Sequence, residues 1–177
     1  MRDNSNPKLS QKECMGMMKR VDPSEVVLKV ALFHPERNLK TQEFHVLGSQ
    51  PLTDLRDCMY CLNDHIINGK QTRSGYFFIE NIFYNDMRHP NNIDYSKQVI
   101  EWQAENERFM ESDLGDGQMF ETRKMEETRF CDLSIRLHEK YLYCHQGDCK
   151  HFIIFTDMRL IHDLDNQNYF AYPIRVF

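Results

Sequence analysis

A chain of 177 residues with 22 Lys and Arg against 27 Asp and Glu carries a formal charge of −5 and has the length of one domain. Its 41% hydrophobic and 12% aromatic content supplies the side chains a packed core needs, which excludes disorder throughout. No window approaches about 18 consecutive apolar residues, the polar opening residues 1–7 lack a secretory signal, and no repeat is visible, so a transmembrane helix, an exported disulfide scaffold and a solenoid are excluded. The six cysteines then read as metal ligands or core residues in a reducing compartment.

Residues 1–24 are polar, with Lys8, Lys12, Lys19 and Arg20 among Met and Ser, and read as a flexible tail; residues 25–177 read as a single α+β domain. Val26, Leu28, Val30 and Leu32 alternate with Val27, Lys29, Ala31 and Phe33, which is strand periodicity. A turn at 34–38 leads to a second strand over 40–47, with Phe44 and Val46 on one face. The period then lengthens: Leu55, Cys58 or Met59, Leu62 and Ile66 recur at helical spacing, and Thr53 is the expected N-cap. A hairpin followed by a helix is how a β-grasp (ubiquitin-like) unit begins, so residues 25–68 are a candidate subregion of that type, although such a hairpin and helix occur in many other folds.

Residues 76–79 and 82–84 read as two short aromatic strands or one bent one, and 85–92 as a loop. Tyr95, Val99, Trp102 and Phe109 then share a helical stripe behind Asp94 as N-cap, and an acidic loop at 111–117 ends that helix. A short helix near 132–138, strands at 141–144, 151–156 and 158–162, and an apolar run at 169–174 complete the expected elements. The acidity is local. Residues 101–127 hold nine acids and three bases, a net of −6, and the rest of the chain sums to +1. The overall charge is therefore neutral toward nucleic acid, and predicts weak DNA binding by this chain alone.

The densest chemistry is Tyr141-Leu-Tyr-Cys144-His145-Gln-Gly147-Asp148-Cys149-Lys150-His151. Cys144 and Cys149 bracket a tight loop whose Gly147 lets two thiolates converge, and zinc takes four nitrogen or sulfur donors in a tetrahedron. Cys144, Cys149 and His151 supply three. If Thr156-Asp157 is a two-residue turn, pairing runs 155:158, 153:160, 151:162, which sets His151 and His162 as cross-strand partners with Cβ atoms about 4.5–5.5 Å apart. Residues 141–164 are then a zinc-binding hairpin holding one ion through Cys144, Cys149, His151 and His162. The plain alternative makes the cysteines small core residues and the histidines surface ones. Cys58-x2-Cys61 has a redox or zinc spacing, but it falls on the predicted helix without partners nearby in sequence, so core packing is the favoured reading there.

Several stretches together resemble the subunit-3 family of the small nuclear RNA-activating protein complex. They are Leu52-Thr-Asp-Leu-Arg-Asp-Cys-Met-Tyr-Cys-Leu62, Phe77-Phe-Ile-Glu-Asn-Ile-Phe-Tyr-Asn-Asp-Met-Arg88, Val99-Ile-Glu-Trp102, Met125-Glu126, Asp132-Leu133, the block from Tyr141 to His151, and Thr156-Asp-Met-Arg-Leu-Ile-His162. The resemblance implies a non-enzymatic nuclear subunit that works with a Myb-repeat large subunit and another small subunit. That assembly recognises the proximal sequence element, helps recruit TATA-binding protein, and supports snRNA transcription by RNA polymerases II and III. It also implies zinc binding. Two departures stand out: His138-Glu139-Lys140 replaces a Gly-containing turn, and the family's zinc-ribbon-like region with paired Cys-x2-Cys motifs, together with much of its N-terminal extension, is not matched.

Asn85 and Arg88, with Lys150 and Arg159 beside the expected metal site, are the candidate DNA contacts, since Arg and Lys reach phosphate or guanine and Asn reads adenine. Against this, Asn85-Asp86 could simply form an Asx turn with Arg88 solvated. The alternative role is a structural scaffold that holds a Myb-type partner without touching DNA. Catalysis is disfavoured: Cys144 and His145 are adjacent on a strand and point to opposite faces, and neither a phosphate loop nor His-Glu-x-x-His is present.

Overall fold

The structure, a computed structural model, describes residues 18–66, 74–106 and 119–177. The alternating segment from Val26 forms β1 (Val26–Phe33) and is returned by β2 (Lys40–Leu47), so the first hairpin has the bounds its periodicity predicts. Two short helices follow, α1 (Leu52–Cys58) and α2 (Asn63–Ile66). The aromatic pair is β3 (Gly75–Ile79) and β4 (Ile82–Asn85), joined through Glu80 and Asn81, both at positive φ as a tight hairpin turn requires. Then come α3 (Ser96–Glu105), β5 (Glu121–Lys124), 3-10 turns at Met125–Glu127 and Phe130–Asp132, β6 (Lys140–His145), β7 (Cys149–Leu160), a 3-10 turn at Tyr169–Ala171 and β8 (Ile174–Arg175). Among the described residues no helix is long and apolar enough to cross a membrane.

The strands join one eight-stranded sheet in the order β5-β4-β3-β6-β7-β1-β2-β8, antiparallel except where β4 meets β5, so the fold is α+β. One face carries the main core: Leu28, Val30, Leu32, Phe44, Val46, Phe77, Ile79, Tyr141, Tyr143, Ile153 and Phe155, covered by Leu52 and Leu55 of α1 and by Met125 and Phe130 of the 3-10 turns. Full burial of a side chain such as Phe77 or Phe155 is worth about 1.5–3 kcal/mol. The opposite face holds a second cluster, where Val27 and Leu47 pack on Val21 and Tyr172. Val21 also donates its N–H to the Gln167 carbonyl at 2.9 Å, so the end of the expected polar tail is fastened to the body of the domain.

Four expected elements differ. The strands expected at 151–156 and 158–162 are a single strand, β7, which runs straight through Thr156-Asp157. Against β1, Lys29 pairs with Asp157 and Val30 with Phe155, which leaves Thr156 as a bulge, its Oγ1 donating to the Lys29 carbonyl at 3.3 Å. A polar pair that lacks turn chemistry kinks this strand instead of ending it. Second, α1 stops at Cys58 and Met59 turns extended (φ −69°, ψ 131°). Gln42 of β2 imposes this: its amide donates to the Tyr60 carbonyl at 2.7 Å and its carbonyl accepts from the Tyr60 N–H at 2.9 Å, like a strand partner. Pro51, not Thr53, is the N-cap, and Thr53 is buried inside the helix.

Third, α3 is rotated from its expected stripe. It buries Ser96 and Gln103 and leaves Val99 and Trp102 exposed; Phe109 and the acidic loop lie outside the described residues. Asp94 does accept from the N–H of Ser96 at 2.9 Å, although Tyr95 occupies the N-cap position. Near 132–138 there is only the Phe130–Asp132 turn followed by irregular chain.

Candidate metal centre

β6 and β7 are paired from Lys140↔Ile154 to His145↔Cys149, and the loop between them turns through Gln146 (φ 54°) and Gly147 (φ 85°). Strand alternation places Tyr141, Tyr143 and His145 on the core face of β6, and His151, Ile153 and Phe155 on the same face of β7. The rings stack in sequence: Tyr143 on His145 at 5.2 Å between centroids, and His145 on His151 at 5.3 Å. Gly75 pairs with His145, and a Cβ there would lie 3.1 Å from the His145 Cβ and 3.0 Å from the Cys144 carbonyl oxygen, so a side chain at this position would push β6 away by a few tenths of an ångström.

The connector that Gln42 pulls out of helix carries Cys61 to the same place. Cys61, His145, Cys149 and His151 present donor atoms that all lie within 4.8 Å of one another. Cys61 Sγ is 3.6 Å from Cys149 Sγ, His145 Nε2 is 3.2 Å from His151 Nε2, and Cys149 Sγ is 3.5 Å from His151 Nε2. Donors on a tetrahedral zinc ion at about 2.3 Å for sulfur and about 2.0–2.1 Å for nitrogen are separated by about 3.8 Å (S···S), 3.3–3.4 Å (N···N) and 3.6 Å (S···N). These three of the six spacings match within about 0.2 Å, and two thiols with two imidazoles are a zinc donor set.

The surroundings suit ligation. His145 Nδ1 lies 2.9 Å from Asp64 Oδ1, and Gln146 Nε2 donates to the same oxygen at 3.1 Å. Burial opposes ionisation of Asp64, but these hydrogen bonds outweigh it and hold the carboxyl at about 2. A carboxylate only accepts, so His145 carries its proton on Nδ1 and turns the Nε2 lone pair to the centre. Burial, reinforced by His145, lowers His151 to about 4, so the ring is neutral at physiological pH, as a ligand must be. Burial raises Cys61 to about 11, with Cys149 beside it adding to the effect; a dication held among the four donors would reverse that by ionising the thiol. Asn63 Nδ2 donates to Cys149 Sγ at 3.1 Å.

The two other expected ligands are elsewhere. Cys144 points to the opposite face, buried, with its Sγ 3.7 Å from the Gly147 carbonyl oxygen. Because β7 does not fold back, Leu160 is already about 30 Å from His151 along the strand, and His162 lies beyond it, where its Nδ1 accepts from the Leu164 N–H at 3.1 Å. Cys149 and His151 stay in the set; Cys61 and His145 complete it. Cys58 packs against the main core. The signal for His145 was its parity with Tyr141 and Tyr143 on the core face, and for Cys61 the Cys-x2-Cys spacing itself.

All four donors fall within residues 42–177, which match the family model described as snRNA-activating protein complex (SNAPc), subunit 3. The chain belongs to this family. It is 37% identical to the Bos taurus snRNA-activating protein complex subunit 3 over 88% of this chain, and 36% identical to the Mus musculus protein of that name over 87%. The chain spans 41% of the length of each of these relatives.

Within this family member, the side chains expected to reach DNA have internal partners. Asn85 is 2% exposed, and its amide donates to Ser96 Oγ at 2.8 Å and Thr122 Oγ1 at 2.9 Å, so burial removes it from any base. Arg88 is neither solvated nor free: its guanidinium holds both oxygens of Asp57 at 2.7 Å and the buried Asp86 at 2.6–2.9 Å. Lys150 pairs with Asp148 at 2.8 Å on the β6–β7 hairpin, and Arg159 pairs with Asp165 at 2.6 Å near the far end of β7.

Proposed function

We propose that this chain is a non-catalytic, zinc-holding subunit of a nuclear complex that recognises the proximal sequence element of snRNA promoters. Such a complex would support transcription by RNA polymerases II and III, with a Myb-repeat large subunit and another small subunit as partners and TATA-binding protein recruited indirectly. Family membership supplies the assembly. The observation that carries this chain's part in it is the four-donor centre of Cys61, His145, Cys149 and His151. One bound zinc ion supplies a rigid tetrahedral cross-link there, tying the α1–α2 connector to the β6–β7 hairpin. Direct DNA contact, in this reading, belongs to Lys150 and Arg159, the two candidates at the surface.

The complex purified under reducing, chelator-free conditions should lose one zinc per chain in the Cys61→Ser/Cys149→Ser variant and keep it in Cys144→Ser. A zinc content unchanged by the double substitution refutes the centre. A second reading, a scaffold that holds the Myb-type partner without touching DNA, is favoured by the internal pairing of all four candidate contact residues.

A further inference from the structure

Cys61 and Cys149 are the only sulfurs of the four-donor group; the other donors are imidazoles, which thiol oxidants leave intact. The two cysteines come from positions 88 residues apart in the chain, yet their sulfurs are 3.6 Å apart, and a disulfide needs them at about 2.0 Å. Cys61 sits on the connector between α1 and α2, held through the neighbouring Tyr60 by Gln42 rather than by a strand ladder, so it is the partner able to close that gap. Neither neighbouring cysteine is placed to compete: Cys58 packs on the core and Cys144 lies on the other face of the sheet.

We propose that the Cys61–Cys149 pair is a redox switch. Reduced, it holds the metal; oxidised by a peroxide, it closes to a disulfide that releases the ion and keeps the connector fastened to the β6–β7 hairpin. The inference rests on the zinc reading above. One thiolate attacks a peroxide oxygen, breaking the O–O bond to give a sulfenic acid and a hydroxide that takes up a proton as water. The second thiolate attacks that sulfur, forming the S–S bond and expelling a second hydroxide, which also leaves as water. The two thiolates lose two electrons and the peroxide gains them. His145 and His151 remain as two donors where a structural zinc site needs four.

The test is hydrogen peroxide titration of the zinc-loaded full chain. A chromogenic chelator follows released zinc, and alkylation with peptide mapping locates the linked cysteines. The expected result is one zinc released per disulfide, with Cys61 joined to Cys149 and both changes reversed by dithiothreitol and added zinc. Cys58→Ser should behave as the parent does, and Cys149→Ser should form no link to Cys61. A Cys58–Cys61 link, or sulfinic and sulfonic acids without any link, overturns the proposal. Zinc in the reduced chain is measured first: its absence refutes the zinc reading, and mapping the oxidised metal-free chain still decides whether these two sulfurs pair.

Discussion

Asp64 lies outside the donor set, on α2; its carboxylate meets the centre through His145 Nδ1 at 2.9 Å, and its backbone N–H donates to the Cys61 carbonyl at 3.2 Å. With a metal bound, it would fix which nitrogen faces the ion and how the ring is turned, the role that carboxylates play behind metal-bound histidines. Asp64→Asn should therefore weaken zinc binding about 10–100-fold in competition with a chelator, with the far-ultraviolet dichroism unchanged. An unaltered affinity would remove Asp64 from the site. Because the folded-state carboxyl sits at about 2, below the ordinary 3.8, its contribution to stability is present above about pH 4 and lost as pH falls toward 2. The residue-level reading of the sequence found Cys149 and His151 because they lie in the dense motif. His145 needed only strand parity: with Tyr141 and Tyr143 inward, His145 is inward and Cys144 is not. Cys61 was not legible in this way, since its place depends on Gln42, a residue 19 positions away that stops α1.

At the scale of elements, the Asp57–Arg88–Asp86 cluster joins α1 to the loop after β4. Burial opposes the charge on Arg88, but its bonds to Asp57 and Asp86 overcome this and hold the guanidinium more firmly protonated than usual. Asp86 is 1% exposed, so Arg88→Ala leaves a buried carboxylate without its guanidinium, held by the backbone N–H of residue 88 at 3.2 Å and the longer Arg56 contact at 3.5 Å. The substitution should cost about 3 kcal/mol in urea unfolding. A cost under about 0.5 kcal/mol would show the cluster to be a solvated surface pair. It also means that lost DNA binding in Arg88→Ala reports folding, not contact. Elements were legible where one face is buried and period-two alternation is sustained, as in β1 and β2. The bulge at Thr156 and the rotation of α3 were not. A bulge resembles a turn in local sequence, and the buried positions of α3 are Ser96 and Gln103, which bond Asn85 and the Phe120 N–H and carry no apolar signal.

Across the whole molecule, charge and topology bear on the promoter role proposed for this subunit. Lys150 and Arg159 lie near opposite ends of β7, about 30 Å apart, and each already faces an aspartate. A chain of net −5 whose described candidate contact cations are so paired lacks the field to hold a duplex unaided. The isolated chain should therefore show only weak affinity for a proximal-sequence-element duplex, abolished by moderate salt, while the assembled complex binds tightly. In that complex, each phosphate contact contributes about 0.9 to the slope of log affinity against log salt. Lys150→Ala and Arg159→Ala should each lower the slope by about that amount if these side chains leave their aspartates for phosphate. Slopes and affinities unchanged in both variants would assign DNA reading to the partner subunits and leave this chain as the frame that holds them.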